Sequence, residues 1–82
     1  MLFRSILKTI ESSLKKARAS LEDVVRTRIY VTDIAEAEKV CKALNEFFHH
    51  ILPTSTLVEV KGLILPDMLV EIECDALINN FC

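Results

Sequence analysis

Met68-Leu69-Val70-Glu71-Ile72-Glu73-Cys74-Asp75-Ala76 is the stretch whose pattern decides the fold: Met68, Val70, Ile72, Cys74 and Ala76 alternate with Leu69, Glu71, Glu73 and Asp75. Successive side chains on a strand point to opposite sides, so this alternation predicts a strand with one buried face. Working backward, Lys61 to Asp67 holds the only glycine, Gly62, and the second proline, Pro66, which predicts a loop. Before it, Thr54 to Val60 is rich in β-branched residues and predicts another strand. A third lies at Val24 to Val31, with Val25, Thr27, Ile29 and Val31 sharing one face and Arg26, Arg28 and Tyr30 the other.

Between and before these strands the apolar spacing changes to three and four. Phe3, Ile6, Leu7, Ile10, Leu14 and Ala17 predict an amphipathic first helix, after which Ser20 is placed to cap a short turn with its hydroxyl. Ile34, Ala37, Val40, Cys41, Leu44, Phe47 and Phe48 form the stripe of a second helix. Thr32 or Asp33 caps it, and it ends before Pro53. The order is α-β-α-β-β. A right-handed parallel crossover is expected between the first two strands and an antiparallel hairpin between the last two. The class is α+β, with two helices on one face of a mixed sheet.

Composition bounds what such a chain can do. The 82 residues are 51% apolar and 27% charged with a net charge of −2, which describes one domain with a small core. Uninterrupted apolar runs such as Leu63 to Leu65 stop at three residues, far short of the roughly 20 a bilayer-spanning helix needs. Seven basic and three acidic side chains precede residue 29, against three basic and nine acidic after it. The early cations, Arg4, Lys8, Lys15, Lys16 and Arg18, have no glycine or aromatic interleaving and read as a solvated helix face rather than a nucleic-acid surface. No secretory or arginine-rich import segment develops, so the expected compartment is the cytoplasm.

The chemistry-bearing residues are few. Cys41, Cys74 and Cys82 have neither zinc-ligand nor disulfide-framework spacing. Cys41, on the apolar stripe, is expected to pack as a small hydrophobe. Adjacent His49 and His50 diverge by about 100° on a helix and suit its C-terminus better than a metal. Ser55 and Thr56 lie in no nucleophile elbow. Glu71 and Glu73 point to one sheet face, as a paired acid/base site would require, but taken alone the pair reads first as a solvated face; Glu73 is expected to be a surface residue.

Three segments carry a resemblance. They are Ala19 to Thr27 running into Tyr30-Val31-Thr32-Asp33, then Asn45-Glu46-Phe47-Phe48, and Pro53 to Val60 with Leu69-Val70-Glu71-Ile72-Glu73. Residues 20–76 resemble the Rid family, the YjgF-like reactive-intermediate deaminases also called L-PSP endoribonucleases. The resemblance implies a chorismate-mutase-like fold and a homotrimer, or less readily a dimer, with small-molecule ligand clefts between subunits. There, enamines and imines are hydrolysed to keto acids and ammonia without cofactor or metal. The family pattern begins with strands ahead of the first helix, and this chain starts within that helix. A single partial Rid-like domain over residues 1–82 is therefore expected, lacking the N-terminal strands.

Carried over residue by residue, the resemblance makes Glu71 the catalytic carboxylate that holds or activates water. It places Cys41, Ser55, Thr56 and Leu57 against substrate, Leu57 through its backbone amide. Two positions depart from the pattern. Ser55 stands where deaminases have an arginine that grips a substrate carboxylate, and Cys41 stands where an asparagine is common. A hydroxyl cannot replace a bidentate cation, and the loss is worth about 1.5–3 kcal/mol of anchoring. Three functions follow, in order: imine or enamine hydrolysis at an altered site, a non-catalytic ligand-binding or assembly module, and RNA cleavage, which the net negative charge disfavours.

Overall fold

The computed structural model describes residues 2–78, so Cys82 lies outside the described residues. Helix α1 runs Leu2–Lys16, strand β1 Val24–Val31, helix α2 Ala37–Phe48, strand β2 Thr54–Glu59 and strand β3 Val70–Ala76. Short 3-10 turns, Leu21–Asp23 and Ile34–Glu36, lead into β1 and α2. The first turn is fixed by Asp23, whose carboxylate accepts from the Ser20 backbone N–H at 2.9 Å. It is one half of a capping box, whose other half is the expected placement of the Ser20 side chain over the Asp23 backbone N–H. At the second, Asp33 accepts from the Ala35 N–H at 3.0 Å, as a cap should.

The sheet order is β2-β1-β3. β1 and β2 are parallel across α2, in register from Arg26↔Thr54 to Val31↔Glu59. β3 does not form a hairpin with β2 as expected. It pairs antiparallel with β1, from Val31↔Val70 to Val24↔Ala76. The connection from Val60 to Leu69 is long enough to carry the chain past β1, and on β1 the side chains opposite β3's Glu73 and Asp75 are Arg28 and Arg26. Opposite charges directly across a ladder favour that partner.

Both helices cover one sheet face. Phe3 and Leu7 of α1, Val40, Ala43 and Phe48 of α2, Val24, Ile29 and Val31 of β1 and Val70 of β3 form one core. A β-bulge between Val24 and Arg26 shifts the alternation, so Val24 is buried and Val25 is 50% exposed. The expected phase therefore holds from Thr27 onward and inverts at the strand's start. On α2 the core stripe includes Ala43, whereas Cys41 is exposed, as is Ile34 in the 3-10 turn before the helix. Cys41 is thus not packed: it sits on the flank of the helix, one position beyond the Val40–Ala43–Leu44 face. Burial on β3 fades along the strand, from Val70 through half-buried Ile72 and Cys74 to exposed Ala76.

Candidate functional site

The register sorts the candidate residues by face. Ser55 and Leu57 lie opposite Thr27 and Ile29 on the helix side, and Thr56 lies opposite Arg28 on the outer side. Ser55 is exposed, and its Oγ is 2.6 Å from the Oγ1 of buried Thr27. That contact gives the buried hydroxyl its partner. The Leu57 side chain packs against the core, which leaves its backbone as the group available to a ligand.

Glu71 stands on β3 opposite Tyr30, level with Val58 of β2 on Tyr30's other side. Strand spacing puts Glu71 and β2 about 10 Å apart. Within one chain, Glu71 and Thr56 thus share the outer face, Ser55 and Leu57 share the other, and Cys41 lies above on α2. The five residues do not converge on one pocket.

What the outer face does bring together is a charge ladder that the sequence pattern leaves hidden. Arg28 donates through Nε to Glu73, and through its two terminal nitrogens to both oxygens of Asp75, at 3.0 and 3.2 Å. The Tyr30 hydroxyl donates to the same Glu73 oxygen at 3.1 Å. Hydrogen bonds from Arg28, then from Tyr30, hold the Glu73 carboxyl below its ordinary range. The hydrogen bond to Arg28 does the same for Asp75. Tyr30 is raised, first because its proton is held by Glu73. Glu73 is therefore a tied partner rather than a plain surface residue. The available signal is Arg28 and Tyr30 sharing one strand face, but it acquires meaning only once β3 is known to pair there.

With Glu73 and Asp75 engaged, Glu71 is the carboxylate of that strand with no ion pair or side-chain hydrogen bond among the described residues. On α2, Cys41, Leu44, Asn45, Phe48, His49 and Leu52 line a hollow of about 230 Å³. At the opposite end, a cavity of about 330 Å³ lies between Phe3, Thr32, Asp33, Glu36 and Leu69. There Glu36 is already paired with Lys39 at 3.2 Å. No group of three His, Cys, Asp or Glu side chains could hold a metal among the described residues, and no described helix is long and apolar enough to cross a membrane.

Two helices on one face of a three-stranded mixed sheet, in the order α-β-α-β-β, define the layered α+β architecture of chorismate-mutase-like proteins. The family described as Endoribonuclease L-PSP matches residues 3–78, and the chain belongs to it. A RutC family protein of Pyrococcus abyssi is 33% identical over 73 residues, covering 89% of this chain and 57% of that protein. The 3-aminoacrylate deaminase RutC of Acinetobacter baylyi is 36% identical over 69 residues, covering 84% of this chain and 54% of its own length. A solved structure from Mycobacterium tuberculosis, of the YjgF/YER057c/UK114 family, superposes with a TM-score of 0.89 at 49% identity, over 93% of this chain and 64% of that one. The chain thus spans little more than half the length of the curated relatives it matches.

Proposed function

We propose that this chain is a Rid-type hydrolase acting on small imines or enamines that carry no carboxylate, in a cleft completed by another copy of the chain. The observation that carries the reading is the isolation of Glu71. Of the three carboxylates on the outer face of β3, it alone keeps its oxygens free among the described residues, able to orient and deprotonate a water. Water oxygen bonds to the imine carbon as Glu71 takes a proton. Glu71 passes that proton to nitrogen, then relays the carbinolamine's hydroxyl proton to nitrogen as the C–N bond breaks, so carbonyl product and ammonia leave and Glu71 is again a carboxylate. The RutC deaminase relative supports this class of chemistry.

Ser55 sets the substrate limit. Its hydroxyl is engaged by Thr27, and it offers no cation to a carboxylate. The test measures ammonia release from an imine generated by an amine oxidase, alongside keto-acid release from 2-iminopropanoate generated by an amino-acid oxidase. The neutral imine should turn over above buffer, Glu71→Gln should abolish that rate, and 2-iminopropanoate should show no acceleration. Rapid turnover of 2-iminopropanoate by the unaltered chain would contradict the substrate limit. Full activity in Glu71→Gln would remove Glu71 from the chemistry. A second reading, a ligand-binding module without catalysis, is favoured by the separation of Glu71 from Ser55 and Leu57 within one chain, and absence of turnover on every imine would select it.

A further inference from the structure

Helix α2 and the turn after it carry two rows of side chains at four-residue spacing: Cys41, Asn45 and His49 in one, Leu44, Phe48 and Leu52 in the other. Positions four apart are neighbours on a helix, so the rows run side by side, and these six residues line the hollow on α2. None is Lys, Arg, Asp or Glu. Asn45 is exposed, and its carboxamide makes no hydrogen bond among the described residues.

Leu52 is the anomaly. Its side chain is 80% exposed, and its backbone has φ 53°, a left-handed conformation that costs a leucine free energy and a glycine none. Its N–H closes the helix on the Phe48 carbonyl at 3.0 Å, the place where glycine is the usual residue. A large apolar side chain kept there, strained and unburied, points to a use for that side chain. The hollow also adjoins Cys41 and Ser55 among the residues already implicated, whereas Glu71 lies on the opposite sheet face and in the proposed cleft comes from the neighbouring copy. Cys41 is part of its wall, and Leu52 reaches Ser55 through Pro53 and Thr54, about 10 Å of chain at most.

Resting on the imine-hydrolase reading above, we infer that this hollow receives the substrate's side chain and selects uncharged imines bearing a branched apolar substituent. Leu44, Phe48 and Leu52 pack against the substituent. The Asn45 carboxamide, one helical turn from Cys41, supplies the polar contact that a thiol makes poorly, and a carboxylate finds neither lysine nor arginine in the lining.

The experiment titrates 2-methylpropanamide, a stable neutral probe, into the full chain and follows the NMR signals of the Asn45 side-chain amide and the Leu52 methyls, with 2-methylpropanoate as the charged control. The amide should give saturable shifts at both residues and the carboxylate none. Leu52→Gly should fold at least as stably as the parent yet bind the amide about tenfold more weakly. Asn45→Ala should weaken binding as well, with partial rescue in Asn45→Gln. Equal binding of the carboxylate, no saturable shift at either residue, or unchanged affinity in Leu52→Gly overturns the inference. Binding needs no turnover, so the two readings fail separately. Amide binding without imine hydrolysis would keep the hollow and remove the hydrolase. Glu71-dependent turnover indifferent to Leu52→Gly would keep the hydrolase and remove the hollow.

Discussion

On the helix side of the sheet, Ile29 and Val31 are each 1% exposed and Thr27 is sealed in with them, whereas on the outer side Arg28, Tyr30 and Glu73 remain half open to solvent. The same strands build both surfaces. The inner one holds the fold by removing apolar area from water, at roughly 25 cal/mol per Å², and admits a polar group only when it is paired, as Thr27 is with Ser55. The outer one is organised by charge. Exposed ion pairs there add little stability, so an unpaired carboxylate such as Glu71 can stand among them at small cost to the fold. That asymmetry leaves the outer face free to carry chemistry.

The sharpest way to break the contrast is at Ile29, the centre of the inner face. Ile29→Ala should destabilise by about 2–5 kcal/mol in urea unfolding, because the cavity lies beneath both helices. A loss under 0.5 kcal/mol would mean that burial on this side does not hold the fold. Ile72, its partner on β3, is only half-buried, and Ile72→Ala should cost less, about 1–2 kcal/mol. An equal loss at both positions would show that β3 is more deeply covered in solution.

Part of this contrast is legible in the amino-acid sequence. The period-2 pattern of β3 and the three-to-four spacing of the helices specify element types, order and layer. Three things escape, each for a physical reason. Periodicity assigns a face to a strand but says nothing of its neighbour, so pairing of β3 with β1 instead of β2 is invisible in it. Val24 and Val25 are chemically identical, so no apolar pattern can show that a bulge buries one and exposes the other. Cys41 lies one step, about 100°, from Val40, and a stripe drawn wide enough to include it overruns the true contact face. At the candidate site, the freedom of Glu71 is legible only as exposure. Its neighbours' engagement depends on the register, which places Arg28 opposite Glu73 and beside Asp75.

A smaller effect tests the polar link between the buried interior and the candidate site. Thr27→Val keeps the shape of the side chain and removes the hydroxyl that meets Ser55. Ser55 is exposed and can turn to water, so the loss should be about 0.5–1.5 kcal/mol. Restored mobility of Ser55 should appear as faster side-chain relaxation in NMR. A destabilisation as large as that of Ile29→Ala would show that the pair, and not the apolar packing around it, fastens β2 to β1.

The smallest effect belongs to the outer face, and it is visible in its pH dependence. Glu73 and Asp75 are held below their ordinary range in the folded chain, chiefly by Arg28, so between their ordinary and depressed values the unfolded chain binds more protons than the folded one. Stability therefore rises with pH across that window. Their contribution is fully present above the ordinary carboxylate range, about pH 4, and is lost as the pH falls through the depressed values. Tyr30 has the opposite sign: it is raised, so what it contributes holds below about pH 10 and disappears as the pH climbs through its raised value. Arg28→Met removes the donor to both carboxylates and should return them toward their ordinary range. The urea midpoint of the variant should then fall less steeply than the parent's below pH 4, while Ile29→Ala should lower the curve without changing its slope. Parallel curves for the parent and Arg28→Met would mean that the ladder is not formed in solution, and Glu71 would lose its distinction from the two carboxylates beside it.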